Sequence, residues 1–173
     1  MDNISIKNRF LLYLIFIISL SIFYLYYKHD VGTDTSISEW LINYQGGFTR
    51  RGLGGEVNIF FANIFSIPLR DSIFFIQVFN SSIFTILLYY YVKDLKFNII
   101  QIFALFSPLF LIYPLAELEA LGRKEVLIFL FFISILFFSG KEFRPAILNS
   151  IIFIFFPVLC LIWEQIILFA PFF

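Results

Sequence analysis

Charge is scarce in this sequence. Asp, Glu, Lys and Arg make up 14% of its residues, while 61% are hydrophobic. A soluble domain carries about 25% charged and about 45–50% apolar residues, so the composition excludes a water-soluble globular fold. The net charge is zero, which removes the electrostatic case for nucleic acid or for a polybasic membrane patch. The one cysteine, Cys160, lies in an apolar run. It excludes an internal disulfide and reads as a packing thiol. The one histidine, His29 beside Lys28, excludes a His-based zinc site and reads as an interfacial residue.

What is present is long apolar runs, rich in phenylalanine. The sequence predicts an all-α, polytopic integral membrane protein with a single transmembrane domain of about five spans. Crossing the hydrocarbon takes about 20 apolar residues. Runs suited to that role cover 10–27, 72–92, 97–115, 120–139 and 146–163. The first follows Lys7 and Arg9 like a secretory signal, but it is long and lacks a small-x-small cleavage site, so it reads as an uncleaved span. Pro108, Pro114 and Pro157 are expected kinks. The short run Val57–Ile67 ends at Pro68, with Val57, Phe60, Phe61 and Ile64 on one helical face. That spacing predicts an amphipathic helix lying in the interface within an external loop over 28–71; a short tilted span is the alternative.

Basic residues choose between these. With Val57–Ile67 flat, the cytoplasmic side holds Lys7, Arg9, Lys93, Lys96, Lys141 and Arg144. With it crossing, that side loses one cation in the count, so the positive-inside rule favours the flat helix and a cytoplasmic N-terminus. Three polar segments, Asn43–Glu56, Glu117–Glu125 and Trp163–Gln165, then share the opposite face. The apolar ending Ala170-Pro171-Phe172-Phe173 leads us to expect a truncated open reading frame or the N-terminal part of a longer protein.

The polar segments carry the candidate chemistry. Ser36 and Glu39 are spaced as a capping box for a short helix through Trp40 and Tyr44, which Gly46 and Gly47 would stop. Arg50 and Arg51 follow, flanked by Gly46, Gly47, Gly52, Gly54 and Gly55. Glycines let backbone N–H groups approach an anion, and the arginine fork grips phosphate bidentately. Anchoring to lipid headgroups is the plainer role for the same pair. Arg123 and Lys124 form a second cationic pair, with Glu119 placed to meet Arg123 along a helix. Asp30 and Asp34 are candidates for a general base or for oxygen ligands to a divalent cation, against an ordinary solvated loop. Glu164 lies inside the apolar stretch after 146, where an ionisable group is a functional candidate by default.

The segments Tyr-Gln-Gly-Gly-Phe-Thr-Arg-Arg-Gly-Leu-Gly-Gly-Glu, Gly-Arg-Lys-Glu and Trp-Glu-Gln together resemble bacterial polytopic proteins of surface-polysaccharide assembly. These are oligosaccharide-repeat polymerases and polyprenol-dependent glycosyltransferases of the GT-C architecture. The likeness is best over Asn43–Glu56, and the chain is much shorter than such proteins. It implies the bacterial inner membrane and a polyprenyl-phosphate-linked sugar as ligand. Arg50, Arg51, Arg123 and Lys124 would grip phosphate, and Asp30 or Asp34 would act as acid or base. Two other classes remain open: a transporter or flippase, and a non-enzymatic partner docking another membrane protein.

The topology is checked by single cysteines at Asn98 or Ser139, in a background with Cys160 replaced. Both should resist an impermeant thiol reagent applied from outside; external labelling at Asn98 would contradict the flat-helix arrangement.

Overall fold

The computed structural model describes residues 3–30, 35–93, 98–105, 107, 122–139 and 145–172. Every regular element among them is helical: α1 (Asn3–Asp30), α2 (Thr35–Trp40), α3 (Leu53–Phe65), α4 (Leu69–Val92), α5 (Ile99–Leu105), α6 (Val126–Ser139), α7 (Pro145–Ile162) and a 3₁₀ helix (Glu164–Phe172). Two of these are long and apolar enough to cross a membrane, α1 through Lys7–His29 and α4 through Leu69–Val92. They contain the spans expected at 10–27 and 72–92. The span expected at 97–115 lies largely outside the described residues. The one expected at 120–139 is represented by the 14 residues of α6, about 21 Å at 1.5 Å per residue. α7 has 18 residues with Pro157 inside it.

Helix boundaries follow from local chemistry. α3 closes at Ser66, whose φ of 51° is left-handed and whose N–H caps Ala62 and Asn63. Pro68, locked at φ −55°, then starts α4. At 13 residues, or about 20 Å, α3 is too short to cross a hydrocarbon layer of about 30 Å.

α4 is the central element, packed against α1, α2, α3 and α6. α1 runs antiparallel to it: Phe10 and Leu14 pack with Leu88 and Val92 at one end, and His29 meets Asp71 at the other. α6 runs parallel to α4. Gln77 donates to the Gly122 carbonyl at one level, and Leu88 clusters with Ile133 the same number of residues further along each chain. α7 returns antiparallel to α6, bringing Trp163 and Ile166 against Ile128. The outward faces carry large apolar side chains, among them Phe16, Phe23, Phe75, Phe79 and Phe153. Water would penalise such contiguous apolar surface and lipid would not.

Gly122 fixes the entry to α6. Its φ of +81° is left-handed, and its carbonyl accepts both Trp40 Nε1 and Gln77 Nε2 at 2.8 Å. A Cβ there would stand 2.7 Å from Leu25 and 2.8 Å from Gln77. Gly122→Ala should therefore lower the melting midpoint in detergent, the left-handed backbone alone costing about 1–3 kcal/mol. Gly46→Ala, with nothing within 4 Å, serves as the control. Equal midpoints for the two variants would contradict this account of the turn.

Candidate functional site

One end of the bundle gathers the end of α1, the loop before α3, the starts of α4 and α6, and the end of α7. There the structure brings together 43–56, 122–125 and 163–165.

The glycine-rich loop is shaped by packing. Gly47 takes φ +116°, and the rings of Tyr44 and Phe48 stack at 5.6 Å. Gly52 lies directly against the Tyr44 ring, and Gly55 against the Ile42 carbonyl. The Gly55 N–H already donates to Ile42 at 3.1 Å, and Glu56 accepts the Tyr44 N–H at 2.7 Å. Gly54 and Gly55 are thus in the first turn of α3 and not in the loop before it. At Gly55 a Cβ would run into the Ile42 carbonyl, and at Gly54 it would stand 3.3 Å from the Ile162 and Lys124 side chains. Gly46 and Gly47 stay open.

Arg51 donates from Nη2 at 2.8 Å and from Nε at 3.3 Å to one oxygen of Glu164, Oε1. Arg50 Nη1 lies 3.8 Å from the other oxygen and its side chain is 86% exposed. The Arg51 hydrogen bond holds the Glu164 carboxyl below the usual carboxylate range. Desolvation opposes this, and the Arg51 and Arg50 charges reinforce it. A carboxylate so held is a weak base. Here Glu164 is an ion-pair partner joining the first loop to the end of α7.

The pairing expected between Glu119 and Arg123 lies outside the described residues. Arg123 pairs at 3.2 Å with Glu39 and with Glu125. Glu39, expected to cap α2 through Ser36, points to this partner 84 positions away. Spacing along the chain could not show that.

Lys124, ahead of α6, is 1% exposed. Its ammonium donates to the carbonyls of Arg51 and Ile162, both at 3.2 Å, and stands 5.7 Å from the Trp40 ring centre. Among the described residues no carboxylate comes within ion-pairing distance of it. Burial pushes its pKa down to about 8, with Glu39 opposing and Arg51 assisting. Gly54 makes the room: a Cβ there would sit 3.3 Å from Nζ.

Beside this ammonium opens a cavity of about 780 Å³. Trp40, Gly54 and Ile162 line it as well as surrounding Lys124. The remaining wall is mostly hydrocarbon from α3, α4 and α6, including Phe61, Phe75 and Leu127, with Ser72 and Asn80 as its polar points.

No protein-family model, curated protein or solved structure matches this chain.

The other candidates divide. The Asp30 side chain and all of Asp34 fall outside the described residues. Sequence reasoning missed Asp71, which holds His29 Nε2 at 2.7 Å; nothing in the spacing links the two. Among the described residues no three His, Cys, Asp or Glu side chains gather as a metal site.

The Lys124 proton gives a signed pH dependence. The unfolded chain keeps this proton up to about 10.4, and the folded one releases it near 8. The unfolded state thus binds more protons between those values. The penalty is present in full below pH 8 and relieved as pH rises towards 10, by about 3 kcal/mol. Lys124→Met removes the group, so wild type should gain stability relative to this variant in detergent melts from pH 7 to pH 10. A difference that does not change with pH would contradict the depressed pKa.

Proposed function

We propose that this is a membrane protein of cell-surface polysaccharide assembly, which transfers or polymerises glycosyl units from a polyprenyl-phosphate-linked sugar. The N-terminus is cytoplasmic and the charged end of the bundle faces the other side of a bacterial inner membrane. The observation that carries this reading is a junction: Arg50, Arg51, Arg123 and Lys124 converge at one end of an apolar bundle, beside an apolar cavity. An amphiphilic phosphate needs both surfaces at once.

In this reading Arg50 meets the donor phosphate first, because it is the most exposed of the cations. Arg51 exchanges Glu164 for phosphate oxygens, keeping its charge compensated in both states. Guanidinium groups stabilise the phosphate as it leaves the sugar, and a carboxylate near the end of α1, Asp30 or Asp34, takes the proton of the acceptor hydroxyl. A flippase-type carrier is the second reading. It is favoured by Asn80, a polar amide in the cavity wall, and it requires binding of the lipid-linked sugar without transfer.

The test uses the full chain in vesicles with a polyprenyl-diphosphate sugar donor. Arg50→Lys with Arg51→Lys keeps the charge and loses the planar fork, so transfer should fall at least about tenfold, or about 1.4 kcal/mol in the barrier. Retained transfer in the double lysine variant, with loss in the double glutamine variant, would leave the arginines as simple anchors. Binding without transfer by wild type would favour the carrier.

A further inference from the structure

Among the described residues the cavity wall carries three polar side chains, Trp40, Ser72 and Asn80. Two of them are already engaged. Trp40 gives its indole N–H to the Gly122 carbonyl at 2.8 Å, and Ser72 gives its hydroxyl to the Asn58 carbonyl at 3.1 Å. Asn80 is only 8% exposed, yet among the described residues its amide has no hydrogen-bond partner. Gln77, nearly one turn earlier on α4 and also buried, shows the contrast, since its amide meets the Gly122 carbonyl at 2.8 Å. A buried carboxamide left unpaired is costly, because two donors and an acceptor have lost water with nothing in exchange.

The place of Asn80 limits what can meet that need. It lies near the middle of α4 (Leu69–Val92), a helix long and apolar enough to cross a membrane. A single trapped water does not meet it. Such a water needs about two to four polar partners, and Ser72 stands eight residues away on α4, about 12 Å along the axis. The rest of the wall is hydrocarbon, from Phe75, Ile76, Phe79 and Leu127 among others. A plain acyl chain would fill the space and leave the amide unmet. A charged end is disfavoured, because no lining residue carries a counter-charge. The occupant that suits both surfaces is a hydrocarbon with one neutral polar end. A hydroxyl fits an amide better than a carbonyl does, since it donates to Oδ1 as well as accepting from Nδ2.

We propose that the cavity binds a neutral long-chain alcohol, with its hydroxyl paired to the Asn80 amide and its chain against the aromatic wall of α3 and α4. The volume of about 780 Å³ falls within the range of about 300–1,000 Å³ usual for small-molecule sites. The assignment goes beyond the reading above and does not rest on it: neither the arginines nor Lys124 takes part.

Binding is measured on the purified full chain in detergent with decanol, methyl octyl ketone and decane, at matched mole fraction in the micelle. Decanol should bind at least about tenfold more tightly than decane, with the ketone between them. Asn80→Leu keeps the size and removes the amide, so this variant should bind decanol and decane alike. It should also melt no lower than wild type, because hydrocarbon replaces an unmet amide. Val57→Trp, which fills the cavity from α3, should weaken all three probes while helix content stays intact. Equal binding of decanol and decane by wild type would overturn the proposal, as would a preference for decanol that survives Asn80→Leu. Ketone binding as tight as decanol binding would overturn the hydroxyl assignment. Unchanged binding in a folded Val57→Trp variant would place the alcohol outside this cavity. A wild-type dimer that Asn80→Leu dissociates would give the amide to a second copy of this chain and overturn the ligand altogether.

Discussion

The charged end of this molecule depends on one residue held from both sides. The backbone carbonyl of Arg51 accepts the buried Lys124 ammonium, and its guanidinium grips Glu164. Lys124 in turn reaches the Ile162 carbonyl at the end of α7. The first loop, the entry to α6 and the exit of α7 are thus tied at a single point. The constraint behind it is solvation. An ammonium removed from water must find dipoles at once, and the carbonyls left open at the end of a helix are the nearest supply.

The surrounding details follow from making that arrangement fit. Gly55 must lack a side chain because the Ile42 carbonyl occupies its space, and Gly54 lets Lys124 and Ile162 pack close. Gly122 must turn left-handed so that its carbonyl meets Trp40 and Gln77. Trp40 then serves twice, as a hydrogen-bond donor to that turn and as an aromatic face near the ammonium. The charges that remain near water, on Arg50, Arg51, Arg123, Glu39 and Glu164, form an ion-paired rim around the buried lysine.

The sequence read well where the signal was local. The helical class, the helices at 10–27 and 72–92, and the stop at Ser66–Pro68 all come from runs of apolar residues or from the fixed geometry of proline. Within the described residues, 43–56, 122–125 and 163–165 do meet at one end of the bundle. The sequence failed where partners are distant in the chain. Glu39 looked like a cap because Ser36 stands three residues before it, yet its partner is Arg123. The close packing at Gly52 and Gly55 was not legible either, because composition cannot distinguish a glycine needed for conformation from one needed for space. Lys124 looked like the second member of a surface pair, and no pattern in Gly-Arg-Lys-Glu marks one cation as buried and the other as half-exposed.

The most direct test of the convergence is a charge swap between positions 51 and 164, followed through melting of the purified chain in detergent. Arg51→Glu alone and Glu164→Arg alone each put like charges in contact and should lower the midpoint. The double variant restores opposite charges at the same place, and a midpoint well above that of either single variant is the result this account predicts. Strictly additive losses in the double variant would mean that the two residues do not meet, and the site built on their contact would be wrong.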